Sequence, residues 1–311
     1  MEFFKASSNY NFMGLRKAWY GLSALLVVAS LVSLGVRGLN LGVDFTGGVT
    51  IVASFPAAAP LDQIRSGLAA DGFVEPTVQS FGTARDVSIR LPPPDKQTSE
   101  QIRQRVDRVL KAVDAGVEVK SVEVVGPQVG KDLGTAAWQS LLATLVLIFV
   151  YVLIRFHTIK LSTGALIAAL HDPIIVLGFF SWTWIPFDLA VVAALLAVIG
   201  YSLNDTVVVF DRIRERFDSN KRLEPVKVLD QSVNQTLSRT IMTSATTMIV
   251  VVVLLLLGGP VLFGFSLALV VGILVGTYSS IYVAAAVALD MGLKAEDLFP
   301  IAKKAAVDNL P

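Results

Sequence analysis

Asp205 stands inside Ala190 to Arg212, an apolar run long enough to cross a membrane, with Gly200, Tyr201 and Ser202 before it and Asn204 and Thr206 beside it. An ionisable side chain in hydrocarbon costs about 2.5–3.5 kcal/mol even on lenient insertion scales. A sequence keeps one there where the acid is paired, lines a wet cavity, or carries protons or ions. Arg239 stands just ahead of another apolar run and offers a partner of opposite sign. For any buried carboxylate, low dielectric favours the neutral form and a nearby guanidinium favours the ionised one. Helices that change the separation of such a pair can therefore load and release a proton. The same residues also fit a purely structural ion pair. Behind Arg239 come Thr240, Thr243, Ser244, Thr246 and Thr247. With Ser202, Asn204 and Thr206 they form a polar lining: either hydroxyl glue between helices or the wall of a hydrated path.

Three further groups of residues bear on chemistry. His171-Asp172-Pro173 falls in another apolar run. It reads either as a second protonatable station, since histidine titrates near physiological pH, or as a proline kink with Asp172 capping the helix beyond it. Asp44, Gly47 and Gly48 belong to Leu41-Gly42-Val43-Asp44-Phe45-Thr46-Gly47-Gly48, where the glycines permit tight backbone turns. A phosphate loop is excluded there, because no Lys-Ser/Thr follows and no helix is expected to start. Gly272 and Gly276 form a small-xxx-small pair that argues for close helix packing. The chain has no cysteine and two histidines, His157 and His171. Thiol catalysis is excluded, a metal centre is not expected, and no nucleophile–base–orienter set can be assembled. Neither an enzyme nor a bound cofactor is expected. The Asn-x-Thr triplets at Asn204 and Asn234 match glycosylation sequons, but one is intramembrane and the other cytoplasmic, so neither is a modification site.

These residues must be positioned by membrane helices. The chain is 54% hydrophobic and 16% charged, against roughly 25% charged in ordinary soluble domains. Spans are predicted at 18–36, 134–154, 163–184, 189–211, 241–258 and 262–289, each near the roughly 20 residues needed to cross. The first exceeds a signal-peptide apolar region and lacks a cleavage signature, so it reads as retained. Lys and Arg flank the first span and fill the segments 155–162, 212–240 and 290–311, while the short loops 183–188 and 258–262 carry none. The positive-inside rule then places residues 1–17, both basic loops and the tail 290–311 in the cytoplasm. Asp205, about fifteen residues from the outer end of its helix, lies roughly 22 Å down, in the inner half of the bilayer. No sustained basic surface suggests nucleic acid.

Residues 37–133 then lie outside and are numerous enough to fold. Strands are predicted at 49–55, 77–81, 87–91 and 117–124, with helices at 61–70 and 99–113. The order β-α-β-β-α-β is that of a ferredoxin-like α+β domain, with Pro92-Pro93-Pro94 as an extended connector. In the loop 212–240, Val226, Leu229, Val233 and Leu237 recur at helical spacing. They predict an amphipathic helix along the membrane surface that turns inward at Thr240, either a plain connector or a lever between the fourth and fifth spans.

Taken together, Gly42-Val43-Asp44-Phe45-Thr46-Gly47-Gly48, Gly200-Tyr201-Ser202-Leu203-Asn204-Asp205-Thr206 with Asp211-Arg212-Ile213-Arg214-Glu215, and Arg239-Thr240 with its threonines resemble the SecF family. His171-Asp172, Gly258-Gly259-Pro260 and Gly264-Phe265-Ser266 are similar too, so the resemblance runs from about residue 12 to 295. SecF proteins are the smaller membrane subunits of bacterial SecDF protein-export complexes, within the resistance-nodulation-division superfamily. The resemblance implies a multi-pass protein of the bacterial inner membrane. It implies SecD as partner, the SecYEG translocon and YajC as the wider assembly, and unfolded preprotein as cargo. It also implies use of the proton motive force for late, ATP-independent steps of translocation, with Asp205 and Arg239 in the proton path. Two rival readings are a proton-coupled exporter half of the same superfamily and a non-transporting scaffold.

Overall fold

The computed structural model describes residues 10–92 and 98–299. Residues 1–9, Pro93 and Pro94 of the proline connector, and the tail beyond Phe299 lie outside the described residues. Among the described residues, six helices are long and apolar enough to cross a membrane. The first is α1 (Arg16–Arg37), followed by a single helical turn α2 (Val43–Thr46) in the glycine-rich element, where no helix was expected.

A small α+β unit comes next: β1 (Gly48–Ser54), α3 (Leu61–Ala70), β2 (Thr77–Phe81), β3 (Thr83–Leu91), α4 (Ser99–Val113) and β4 (Glu118–Val125). The strands form one antiparallel sheet in the order β2-β3-β1-β4, with Ile51 of β1 opposite Ile89 on one side and Val122 on the other. This is the ferredoxin-like arrangement expected from the alternation. Period-2 side chains of β1 and β3 (Val49, Ile51, Ala53, Val87, Ile89) bury one face. Ile64 and Leu68 of α3 and Ile102, Val106 and Leu110 of α4 close over it. Thr98 starts α4 with a capping box, its hydroxyl accepting from the Gln101 amide while Gln101 bonds back.

Only Gly126 separates β4 from α5 (Pro127–Phe156). Then follow α6 (Ile159–Thr183), α7 (Leu189–Ser219), α8 (Pro225–Leu257) and α9 (Gly259–Ser279). A π turn (Ser280–Ala284) interrupts the last span before α10 (Ala285–Asp290) and the short α11 (Ala295–Leu298). Within its apolar window α6 is 61% buried, whereas α1 and α5 are each 11% buried and α8 17%. The bundle therefore has a centre, formed by α6 with α7 and α9, and an apolar periphery.

Two expectations fail here. The amphipathic stretch 226–237 is not a surface helix that turns at Thr240: α8 runs unbroken from Pro225 to Leu257. No glycine or proline follows Pro225 in it to break the ladder. Its apolar face (Val228, Leu229, Val233, Leu237) is buried in one cluster with Phe210, Ile213 and Phe217 of α7 and with Phe12 and Met13. The N-terminal segment is pinned there by Tyr10 N–H to Asn234 Oδ1 (2.9 Å) and Met13 N–H to Asp230 Oδ1 (2.8 Å). The basic connector shrinks to residues 220–224. Likewise α6 continues through Pro173, and Asp172 caps nothing. One missing N–H in a helix enclosed on most sides is outweighed by its packing.

Candidate functional site: a buried acid at the meeting of three helices

Asp205 is 2% exposed in the middle of α7, and its Oδ2 has no hydrogen-bond partner. A mid-helix carboxylate cannot turn to backbone amides, since those of its own helix are used within the ladder. Only side chains can serve it. The Thr243 hydroxyl of α8 faces it, and Arg239, one turn earlier on α8, is close enough to act on it electrostatically. Among the described residues no ion pair within 4.0 Å joins Asp205 to Arg239. Arg239 is exposed. The buried partner offered by the sequence is therefore a cation on the open face of the bundle, facing an acid inside it.

The predicted polar lining divides by helix phase. Ser202 is buried and its Oγ lies 3.4 Å from the Ser279 Oγ of α9. Ser244 joins two helices, receiving the Tyr201 hydroxyl (3.2 Å) and meeting Thr277 Oγ1 (2.7 Å). Thr243 and Thr247 donate instead to carbonyls of their own helix, those of Arg239 and Thr240 and of Thr243, a back-bond that ties up the hydroxyl. Thr206 is buried (1%), whereas Asn204 is exposed and lines nothing in this chain. Sequence reasoning missed Tyr201, Thr277 and Ser279 as members of the lining. Ser279 could have been found: it lies three residues after Gly276, on the face of the small-xxx-small pair. That pair does pack α9 on α7, with a side chain at Gly272 meeting Val198 and one at Gly276 meeting Ser202.

His171 and Asp172 are both buried, at 6% and 0% exposure, with Nδ1 and Oδ1 at 2.9 Å. The Ser279 hydroxyl donates to Asp172 Oδ2 at 2.9 Å.

Asp44, Gly47 and Gly48 sit elsewhere, where the sheet domain meets the bundle. Asp44 Oδ2 accepts the Leu189 N–H at the start of α7 (2.8 Å), next to Asp188, whose Oδ1 accepts the Val191 N–H (2.9 Å). Gly48 has φ +129°, and a Cβ there would stand 2.5 Å from the Leu91 carbonyl oxygen; one at Gly47 (φ +71°) would stand 2.8 Å from Pro127 Cα. Both glycines are demanded by backbone packed on backbone. Backbone bonds Gly42 N–H to Phe187 O and Phe187 N–H to Asn40 O (both 2.8 Å) tie the same linker to the α6–α7 loop. A cavity of about 60 Å³ remains, lined by Asp44, Glu123, Asp188, Ser88, Ser121 and Arg90 among others. Burial, then Asp44 and Asp188, push the Glu123 carboxyl up. Burial first and Asp44 next push that of Asp188 up, against the bonds from the α7 amides. Among the described residues no group of three or more His, Cys, Asp or Glu has the arrangement of a metal site.

Among the described residues, six apolar helices and an antiparallel α+β domain inserted after the first define a polytopic membrane protein. Residues 105–294 match the model of the family described as protein export membrane protein SecD/SecF, C-terminal, and residues 32–55 match the SecD/SecF GG motif. The chain belongs to the SecD/SecF family, on its SecF side. It is 47% identical over 300 residues to the protein translocase subunit SecF of Haemophilus influenzae, covering 96% of this chain and 91% of that one. Its identity to the SecF of Vibrio alginolyticus is 45% over 300 residues, with 96% and 95% covered. Among solved structures it is similar to the translocon-associated membrane protein SecDF of Thermus thermophilus (TM-score 0.84, 36% identity). That match covers 93% of this chain but spans 39% of the SecDF chain.

Proposed function

We propose that this chain is the SecF-type part of a proton-driven protein-export motor, with Asp205 and Arg239 in the proton path. In this reading a SecD-type partner covers the open face of α8, and the pair belongs to the joint between the two. The observation that carries it is the combination at Asp205: a buried carboxylate with a free oxygen, opposite a cation that stays exposed until something covers it. A structural ion pair predicts closed contact, and this pair is open. The sheet domain is extracytoplasmic in the bacterial inner membrane, both termini are cytoplasmic, and the domain handles unfolded preprotein emerging from the SecYEG translocon, with YajC in the wider assembly. Support for that orientation comes from the basic flanks of the spans.

The energy available suits a ratchet. One elementary charge crossing 100 mV yields about 2.3 kcal/mol, enough to bias a two-state rearrangement about fifty-fold. Protonation of Asp205 removes its attraction to Arg239 and releases α7 from α8; deprotonation restores it. The test is Asp205→Asn in the complex assembled with a SecD-type partner, with membrane insertion and assembly verified. Proton-dependent translocation is expected to be lost. Undiminished translocation sinks the reading and favours the scaffold.

A further inference from the structure

Among the described residues Asp172, at 0% exposure, is more enclosed than Asp205 or His171, and the mechanism above does not use it. Among the described residues no Lys or Arg lies within 4.0 Å of its carboxylate. Three cations on α6 and the helices packed round it are engaged elsewhere: Arg16 of α1 with Asp290, Arg155 of α5 with Asp211 of α7, and Lys160 with Asp297. What faces it is His171 on one oxygen and Ser279 on the other. The remaining titratable neighbours are Tyr278, whose ring lies 5.9 Å from that of His171 and whose hydroxyl bonds Ser23 and the Trp19 carbonyl, Tyr282 stacked on Trp19, and Asp205 of α7. A carboxylate and a neutral imidazole would leave one net negative charge in a dry site, which low dielectric penalises. The 2.9 Å contact between His171 Nδ1 and Asp172 Oδ1 lets the two share one proton. His171 Nε2 is buried without a partner, so no second bond locks the ring into one tautomer.

The pair is also connected. From Asp172 Oδ2 it is 2.9 Å to Ser279 Oγ and from there 3.4 Å to Ser202 Oγ, one turn before Asp205 on the buried face of α7. Asp205, whose Oδ2 has no partner among the described residues, follows Ser202 by three residues on the same helix. Residues three apart on a helix have Cβ atoms about 5–6 Å apart, a gap that one side-chain rotation or one bridging water closes. Gly276 keeps the crossing open: a Cβ there would come within 3.3 Å of Ser202 Oγ and 3.5 Å of Asp172 Oδ2. The π turn Ser280–Ala284 begins immediately after Ser279, and such turns commonly mark functional positions in helices.

We propose that Asp172 and His171 form a second proton-holding station, exchanging its proton with Asp205 through the hydroxyls of Ser279 and Ser202. The inference rests on the proton-path reading of Asp205. In the direction set by the Ser279 hydroxyl, the Asp205 proton passes to Ser202, the Ser202 hydroxyl proton passes to Ser279, and the Ser279 hydroxyl proton passes to Asp172 Oδ2. Each serine ends with one hydrogen, turned the other way. The station gains one proton and Asp205 becomes ionised; the return transfer runs the same line in reverse.

The experiment measures proton uptake into vesicles holding the complex of this chain with its SecD-type partner, using a trapped pH-sensitive dye under an imposed gradient. Asp172→Asn, Ser279→Ala, Ser279→Thr and Asp205→Asn are compared, each verified for assembly. Losing one hydrogen bond from a transfer path changes a rate by about tenfold. Ser279→Ala is expected to slow uptake by that factor, Ser279→Thr to restore it, and Asp172→Asn to slow it at least as much. The infrared carboxylic-acid band of Asp172 should vanish in Asp172→Asn and shift in Ser279→Ala, which a packing role would not produce. Wild-type uptake in Ser279→Ala together with an inactive Asp205→Asn overturns this inference alone. Undiminished uptake in Asp205→Asn overturns the underlying reading and this one with it. Should Asp172→Asn fail to assemble, the Ser279 pair decides.

Discussion

Helix α7 has a half-buried acid at its N-cap and a buried one in its middle, and their surroundings are built from opposite materials. Asp188 at its N-cap accepts the Val191 amide, and Asp44 beside it accepts the Leu189 amide. The positive end of the helix dipole adds to that hold. Asp205, seventeen residues on, has only side chains nearby: Thr243 of the neighbouring helix, whose hydroxyl is bonded to its own backbone, and a cation at a distance. A helix can offer free amides only at its start. An acid at that end is anchored by atoms that cannot leave, whereas an acid in the middle depends on groups carried by other helices. The upper pair is suited to holding the sheet domain in place, the lower acid to changing state as helices shift.

Substitutions that separate anchoring from switching test this contrast. The largest effect is expected for Asp205→Asn, which should lower proton uptake by the complex by about 100-fold or more while the thermal stability of the purified protein barely changes. Gly48→Ala should do the reverse. It puts a Cβ into the Leu91 carbonyl at a φ of +129°, and is expected to cost about 2–4 kcal/mol of folding stability, read as a lower unfolding temperature and faster proteolysis of the sheet domain. Asp44→Ala removes one amide acceptor at the start of α7 and should cost about 1 kcal/mol; Asp44→Asn keeps an acceptor and should cost less. A stability of the Asp205 variant as low as that of Gly48→Ala would dissolve the distinction.

The upper acids also predict a pH dependence with a definite sign. Glu123 and Asp188 have folded-state values raised above the ordinary 4.5 and 3.8. The folded junction thus binds their protons more tightly than the unfolded chain does. Its stability is greatest below the ordinary carboxylate values and falls as pH rises from them through the raised ones. Glu123→Gln should flatten that slope in thermal unfolding measured across the acid range. The smallest effect belongs to Thr247→Val: its hydroxyl serves its own helix, so uptake should stay at wild type and stability within about 0.5 kcal/mol.

Much of this was legible because it is local. Helices and strands follow from apolar spacing that neighbouring residues share, so the sheet order and all six apolar helices were within reach. So was the oddity of Asp205, which needs only a hydropathy run and a carboxylate. Contacts between helices were harder. Whether a hydroxyl crosses to a neighbour or folds back on its own carbonyl depends on the rotation of each helix about its axis, and packing partners distant in sequence set that rotation. Ser244 and Thr247 are alike in the sequence, yet one bridges to Thr277 and the other does not. The outward direction of Arg239 and the passage of α6 through Pro173 are of the same kind. Propensity offered a kink at Pro173 with a new helix start at Asp172, and α6 is one helix through both.

The single residue between β4 and α5 has a mechanical meaning. One residue advances the chain by about 3.8 Å, so Gly126 gives the joint almost no backlash. The sheet domain's other attachment, through residues 38–42, is clamped to the α6–α7 loop. Any swing of the domain must then turn α5 as a crank turns its shaft, carrying angular displacement over a 30-residue helix to the far side of the bundle.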